Sequence, residues 1–303
     1  VKDYFIDSWE TLKGRNISED DQEMLQMKFD KMYTTKDIYT IYNWMLDDCG
    51  CDLLPEVPYE KRKLPYEDVF PMLYLKYRLS GGNSTHKNIK HLVIDEMQDY
   101  SYLQYTILES LFHCRMTILG DRAQTLDTKQ QDVLRFLPKL LGREIRTIEI
   151  KKSYRNTLEI ARYAEKVSGV SDLELLDRHG KEVVEKTFNT DTELLDELVC
   201  HLKCPGDFET AALITTTEEE AFDLSRLLKL RGINVSYVDR NSSAFKKGLT
   251  VTTFYLAKGL EFDQVFALRG AKENPLKNQA EYICATRALH ELYVYEIADS
   301  LSK

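Results

Sequence analysis

Asp95 and Glu96 stand side by side behind an apolar run, Leu92-Val93-Ile94, and Gln98 and Asp99 follow within three residues. Adjacent carboxylates at a strand end suit two tasks in phosphoryl transfer: one holds Mg²⁺ and the other orients an attacking water. A triphosphate also needs a cradle of backbone amides and a lysine. That G-x-x-x-x-G-K-[ST] pattern occurs nowhere in the 303 residues. The chain therefore carries one half of an NTPase site. Alone, the pair also reads as two solvated acids, since Asp-Glu is common in any acidic chain. A second strand end, Gly120-Asp121-Arg122-Ala123-Gln124 after residues 116–119, shifts the balance toward a site.

The elements that must position these acids are legible around them. Residues 91–94 form a short β-branched strand, Ser101-x-x-Gln104 is a capping box opening a helix with Leu103, Ile107, Leu108 and Leu111 inward, and 116–119 is a second buried strand. Strand, helix, strand with acids at both carboxyl ends is how an open parallel sheet builds a site. Further on, strands are expected at 147–150, 211–214, 233–238, 249–253, 264–268 and 292–295. Helices are expected where Asn156-x-x-Glu159 and Thr217-x-x-Glu220 supply caps, at 192–202, and near 279–288. Upstream, Ser18 caps an amphipathic helix carrying Leu25, Phe29 and Met32, and a second carries Ile38, Ile41, Tyr42 and Met45. Pro55, Pro58 and Pro65 mark residues 50–65 as a connector, with a boundary near 60, and a helix over 68–79 leads to a turn at Gly81-Gly82-Asn83-Ser84. There is no internal repeat and no low-complexity segment.

Composition bounds the function. With 43% hydrophobic residues the chain can build one large or two modest cores. Fifty acids against 41 bases, a net charge of -9, exclude a large uniform basic face, so any nucleic-acid contact must be local. No apolar run approaches the roughly 20 residues of a membrane span and no signal peptide opens the chain, so a cytoplasmic location with no membrane partner is expected. Six cysteines are scattered; Cys49-x-Cys51 and Cys200-x-x-x-Cys204, the latter enclosing His201, are read as reduced thiols rather than a metal site. The first residue is Val1 rather than Met, which favours an excised fragment or processed chain.

Taken together, the residues resemble the motifs of superfamily 1A helicases, the UvrD, Rep and PcrA group, in that family's order. Asp95, Glu96, Gln98 and Asp99 are similar to motif II, and Ile118-Leu119-Gly120-Asp121 with Gln124 to motif III. Lys152-Ser153-Tyr154-Arg155-Asn156 resembles motif IV, Leu256-Ala257-Lys258-Gly259-Leu260-Glu261-Phe262 motif V, and residues 280–289, with Thr286-Arg287-Ala288, motif VI. The resemblance implies an α/β fold of two RecA-like P-loop NTPase-type domains with parallel sheets. Residues 61–146 would be the C-terminal part of the first, lacking its Walker A part, and 147–303 the second, with no large 2B insertion. Residues 1–60 would be a helical segment, the tail of an insertion in the first motor domain. The implied cofactors are ATP and Mg²⁺. Asp95 would coordinate the metal, Glu96 activate water and Gln124 sense the γ-phosphate. Tyr154 would stack on the base, Glu261 hold the ribose, and Arg155 and Arg287 face the γ-phosphate, with Lys258 and Gly259 in the nucleotide-side loop.

Departures from the pattern narrow the expectation. Gln124 is followed by Thr125-Leu126-Asp127 where the helicases place an aromatic that stacks on single-stranded DNA, a contact worth about 1–3 kcal/mol per base. Tyr255 stands where their motif V has a His that meets the nucleic-acid backbone, and the span from Arg155 to Lys258 is only about a hundred residues. With the acidic charge, these features resemble the HelD branch, bacterial UvrD-like ATPases that bind RNA polymerase and free it from stalled states. Three readings stay open: a HelD-type motor fragment, a DNA helicase or repair translocase, and an ATPase-derived partner-docking module without turnover. Partners are accordingly DNA, RNA polymerase or both.

Overall fold

The computed structural model describes residues 8–9, 14, 17–35, 37–79, 86, 88–125, 133–142, 145–169, 174–203, 208–242, 247–270 and 275–298. The expected turn at Gly81 to Ser84, and Leu126, Asp127 and Cys204, lie outside the described residues. The chain divides into two compact units: residues 1–93, 100–117 and 139–142 form one, and 94–99, 118–138 and 143–303 the other.

The first unit is mainly helical. Helix α1 (Glu19–Thr34) starts at Ser18, whose hydroxyl accepts the Asp21 amide, and α2 (Ile38–Asp48) starts at Asp37, which accepts from Tyr39. Tyr39, Tyr42, Leu46 and Leu54 form a small core against Met72 and Leu75 of α3 (Tyr66–Leu79). The proline-marked connector is pinned to this core. Asn43 exchanges two hydrogen bonds with the Leu54 backbone, and Arg62 binds Asp37 through both Nη atoms at 2.9 and 2.8 Å while lying over the Tyr39 ring. The Ser101 to Gln104 capping box opens α4 (Tyr102–Leu111) as expected. Strands β1 (His91–Ile94) and β2 (Arg115–Ile118), which flank α4, pair as a two-stranded sheet. Helix α5 (Val133–Leu141), whose residues 133–138 belong to the second unit, runs through Pro138.

The second unit holds a six-stranded sheet in the order β5 (Val184–Phe188), β10 (Ala288–Ile297), β9 (Phe262–Arg269), β6 (Thr210–Thr215), β8 (Gly248–Thr253), β7 (Val235–Tyr237), with every neighbouring pair parallel. Side-chain alternation sorts the core into two layers. Ala212, Ile214, Val265, Ala267, Leu292 and Val294 face α6 (Leu158–Ser168) and α9 (Lys277–Arg287). Leu213, Val251, Phe266, Tyr293 and Tyr295 face α7 (Asp191–Lys203) and α8 (Glu218–Leu230), the latter opened by the Thr217 to Glu220 box. This is the mixed α/β architecture with parallel sheets that the alternation of elements predicts.

Three expectations fail locally: β2, read as a buried strand, has only exposed and partly buried residues. Residues 147–150 belong to no strand, and the strand falls instead at β3 (Lys152–Ser153), parallel to β4 (Glu174–Leu175). Asn156 does not cap α6: Thr157 occupies the cap, and the Asn156 amide donates to the carbonyls of Ala285 and Ala288 at 3.3 and 2.6 Å. The Ala285 carbonyl already accepts the Ala288 amide, and Asn156 adds a donor to it and to the Ala288 carbonyl at this helix end instead of capping α6.

Candidate active site

The predicted residues of motifs II, III, V and VI converge within the second unit, and a close backbone approach explains how the first two come together. Leu119 donates to the Ile94 carbonyl and accepts from the Met97 amide, both at 2.8 Å, so the two strand ends are bonded side by side. Gly120 makes this approach possible, because a Cβ there would meet the Met97 amide nitrogen at 2.7 Å along with the Met97 and Gln98 side chains. Past the first strand, Asp95 accepts the Glu96 amide at 2.9 Å. Glu96 has φ 53°, the left-handed region, and is the only such non-glycine among the described residues. That conformation costs a non-glycine residue about 1–2 kcal/mol and is characteristic of functional positions.

From Glu96 a chain of side-chain hydrogen bonds runs across the site. Gln98 Nε2 donates to Glu96 Oε2 at 2.5 Å, and Gln98 Oε1 accepts the Asp121 amide at 3.0 Å. Asp121 Oδ2 accepts from Gln124 Nε2 at 2.9 Å and from the Tyr282 hydroxyl at 2.8 Å. Gln124 Oε1 faces Arg287 Nη2 at 3.5 Å. Burial and the charge on Asp121 both push the Tyr282 phenol up, keeping it a donor.

Arg287 is 3% exposed yet weakly held. Its other contacts are the Leu260 carbonyl at 3.4 Å and Thr286 Oγ1 at 3.2 Å, and its Nε is buried without a hydrogen-bond partner. Burial, followed by the positive charge of Arg155, holds the guanidinium below its usual pKa, while Glu96 and Glu261 pull the other way. No carboxylate among the described residues lies within ion-pair distance of it, although buried charges are ordinarily paired.

The remaining predicted residues are placed as follows. Arg155 pairs with Glu261 at 2.7 Å, both about half exposed. Tyr154 is 63% exposed, with Lys152 Nζ over one face of its ring at 5.6 Å from the centre. Lys258 forms an ion pair with Asp99 of motif II, and Gly259 at φ 80° supplies the left-handed turn after it. Among the described residues no group of three or more His, Cys, Asp or Glu is placed to hold a metal ion. Mg²⁺ in nucleotide sites is held by one or two carboxylates plus phosphates and water, so a group of three ligands is not required of the expected donor, the exposed Asp95. Sequence reasoning missed Asp121 as the junction of the network, Tyr282 as its partner, and the Asp99 to Lys258 pair. The two acids lay inside segments already quoted, but their partners sit more than a hundred residues away.

Residues 10–126 match the family model of the UvrD/REP helicase N-terminal domain. No curated protein matches the chain. Among solved structures, the chain is similar to the C-terminal domain of a possible DNA helicase from Lactobacillus plantarum WCFS1, at 26% identity and TM-score 0.40, over 48% of this chain and 88% of that one. It is also similar to the PRRSV helicase, at 17% identity and TM-score 0.39, over 68% of this chain and 35% of that one. No helix of the described residues is long and apolar enough to cross a membrane. The family match to the segment holding motifs II and III supports a UvrD-like superfamily 1 helicase reading of the chain.

Proposed function

We propose that this chain is the C-terminal portion of a UvrD-like superfamily 1 ATPase whose full-length protein couples ATP hydrolysis to remodelling of nucleic-acid complexes, with HelD-like release of RNA polymerase as the task. The observation that carries the hydrolytic part is Arg287: a buried guanidinium with an unpartnered Nε and no carboxylate counter-ion, joined by a hydrogen-bonded relay to Glu96. A buried cation without an anion is suited to receive one, and an arginine aimed at a transferring phosphoryl group offsets the charge that develops there. Glu96 takes the proton of the attacking water, Gln124 links it to the arginine, and Arg155, once released from Glu261, adds a second cation. Tyr154 offers a face for the base and Glu261 an acceptor for ribose hydroxyls. Asp95 would hold Mg²⁺, which supplies charge neutralisation between phosphates. The loss of two nucleic-acid contacts, at the position after Gln124 and at Tyr255, together with the net charge of -9, supports a protein-bound target over free DNA.

The 303-residue chain alone is expected to hydrolyse no ATP, because the loop lysine and amides that cradle a triphosphate are not in it. Turnover by the purified chain that Glu96→Gln abolishes would overturn this. For the partner, co-purification of the full-length protein with RNA polymerase core is the expected result. Tight single-stranded DNA binding without polymerase would favour a helicase or translocase, and a full-length protein that binds partners without turnover would make the chain a docking module.

A further inference from the structure

The relay between Glu96 and Arg287 has a direction set by one residue. A carboxamide has a donor end and an acceptor end, so its partners decide which way it points. The Asp121 amide can only donate, so it takes Gln98 Oε1 and leaves Gln98 Nε2 for Glu96. The Asp121 carboxylate can only accept, so it takes Gln124 Nε2 and leaves Gln124 Oε1 for Arg287. Backbone and side chain of Asp121 thus orient two glutamines in opposite directions, one toward an anion and one toward a cation. If Gln124 turned over, its NH₂ would face the guanidinium, donor against donor.

What holds Asp121 in that pose is divided between two elements. Its Oδ1 accepts the Ala123 amide at 2.9 Å, a local turn contact. Its Oδ2, the oxygen that orients Gln124, is also bonded by the Tyr282 hydroxyl from α9, the helix that ends in Arg287. Tyr282 is partly buried, with its phenol held in the protonated, donating form.

We propose that Tyr282 is a positioning residue for hydrolysis: through Asp121 it fixes the Gln124 carboxamide with its oxygen toward Arg287, so that motif VI and the water-activating Glu96 act as one unit. This inference rests on the ATPase reading above. Tyr282→Phe keeps the ring and removes only the hydroxyl, and Asp121→Asn replaces the acceptor oxygen pair with an amide.

The test is steady-state ATP hydrolysis by the full-length protein, with nucleotide affinity and melting temperature measured on the same samples. Tyr282→Phe is expected to lower kcat about tenfold, the size of a lost hydrogen bond to a charged group, with KM within about twofold and melting within about 2 °C. Asp121→Asn should lower kcat further, and adding Tyr282→Phe to it should cost nothing more. Unchanged kcat in Tyr282→Phe, while Glu96→Gln abolishes turnover, overturns the inference and leaves the ATPase reading standing. Equal loss of kcat and affinity, or a loss that follows a fall in melting temperature, assigns Tyr282 a structural role and overturns it as well. A full-length protein whose turnover is absent, or indifferent to Glu96→Gln, overturns the ATPase reading itself.

Discussion

Gly120→Ala isolates the contact on which the convergence of motifs II and III depends. A Cβ at that position would sit 2.7 Å from the Met97 amide nitrogen and press on the Met97 and Gln98 side chains. The Met97 nitrogen cannot simply retreat, since its hydrogen bond to the Leu119 carbonyl joins the two strand ends. Overpacking typically costs about 1–3 kcal/mol, and weakening that bond adds about 1 kcal/mol, so a loss of about 3 kcal/mol is expected. For a cooperative unit of 150–250 residues each kcal/mol moves the midpoint about 2–4 °C, which gives a fall of about 6–12 °C. Scanning calorimetry of the 303-residue chain reads this without nucleotide. Gly259→Ala is the companion: it meets no atom within 4 Å but has φ 80°, so its penalty is conformational only, about 1–2 kcal/mol. Gly120 lies outside the left-handed region, so its penalty is steric only. A Gly120→Ala midpoint within about 2 °C of wild type, or a larger loss in Gly259→Ala, would refute the reasoning.

In the full-length protein, Arg287→Ala should keep nucleotide affinity within a modest factor while kcat falls about 10³-fold or more, as for other arginines that act on the transferring phosphoryl group; equal loss of both would make Arg287 a binding residue. His179 gives a pH signature, because its ring bridges Glu159 at 2.9 Å and Asp177 at 3.0 Å. The bond from His179, helped by the Gly180 amide, holds Glu159 at about 2, below its usual 4.5, so its contribution is present above pH 4.5 and fades as pH falls toward 2. Glu159 first and Asp177 second raise His179 above 6.5, so its contribution is full below that value and fades as pH climbs through the raised one. Melting of the chain between pH 5 and 9 should therefore decline on the alkaline side, and His179→Gln should flatten that decline; an unaltered profile in the variant would show that another group sets it.

What the sequence reveals and what it hides divide by distance. Capping boxes at Ser101 and Thr217 are local chemistry, and both appear as read. Strand β5 goes unread because its middle three residues, Glu185, Lys186 and Thr187, are exposed at the sheet edge, leaving only Val184 and Phe188 as signal. Asn156-x-x-Glu159 fits a cap, but Asn156 turns to carbonyls 129 and 132 residues away and Glu159 to His179 and Gly180. The site follows the same rule. Family resemblance names the groups proposed to meet nucleotide, whereas Asp121 with Tyr282, and Asp99 with Lys258, are pairings that only folding discloses.

On the proposed reading, the Arg155 to Glu261 pair biases nucleotide binding before any ligand arrives. An ion pair this exposed is worth at most about 1 kcal/mol, so it yields readily, but only to a partner that compensates both ends. Free phosphate would draw away the arginine and strand the carboxylate; a nucleoside would engage the carboxylate and strand the arginine. A nucleotide satisfies both together. On the proposed reading, the resting pair tilts the site, by no more than that ~1 kcal/mol, toward a molecule that carries sugar and phosphate together.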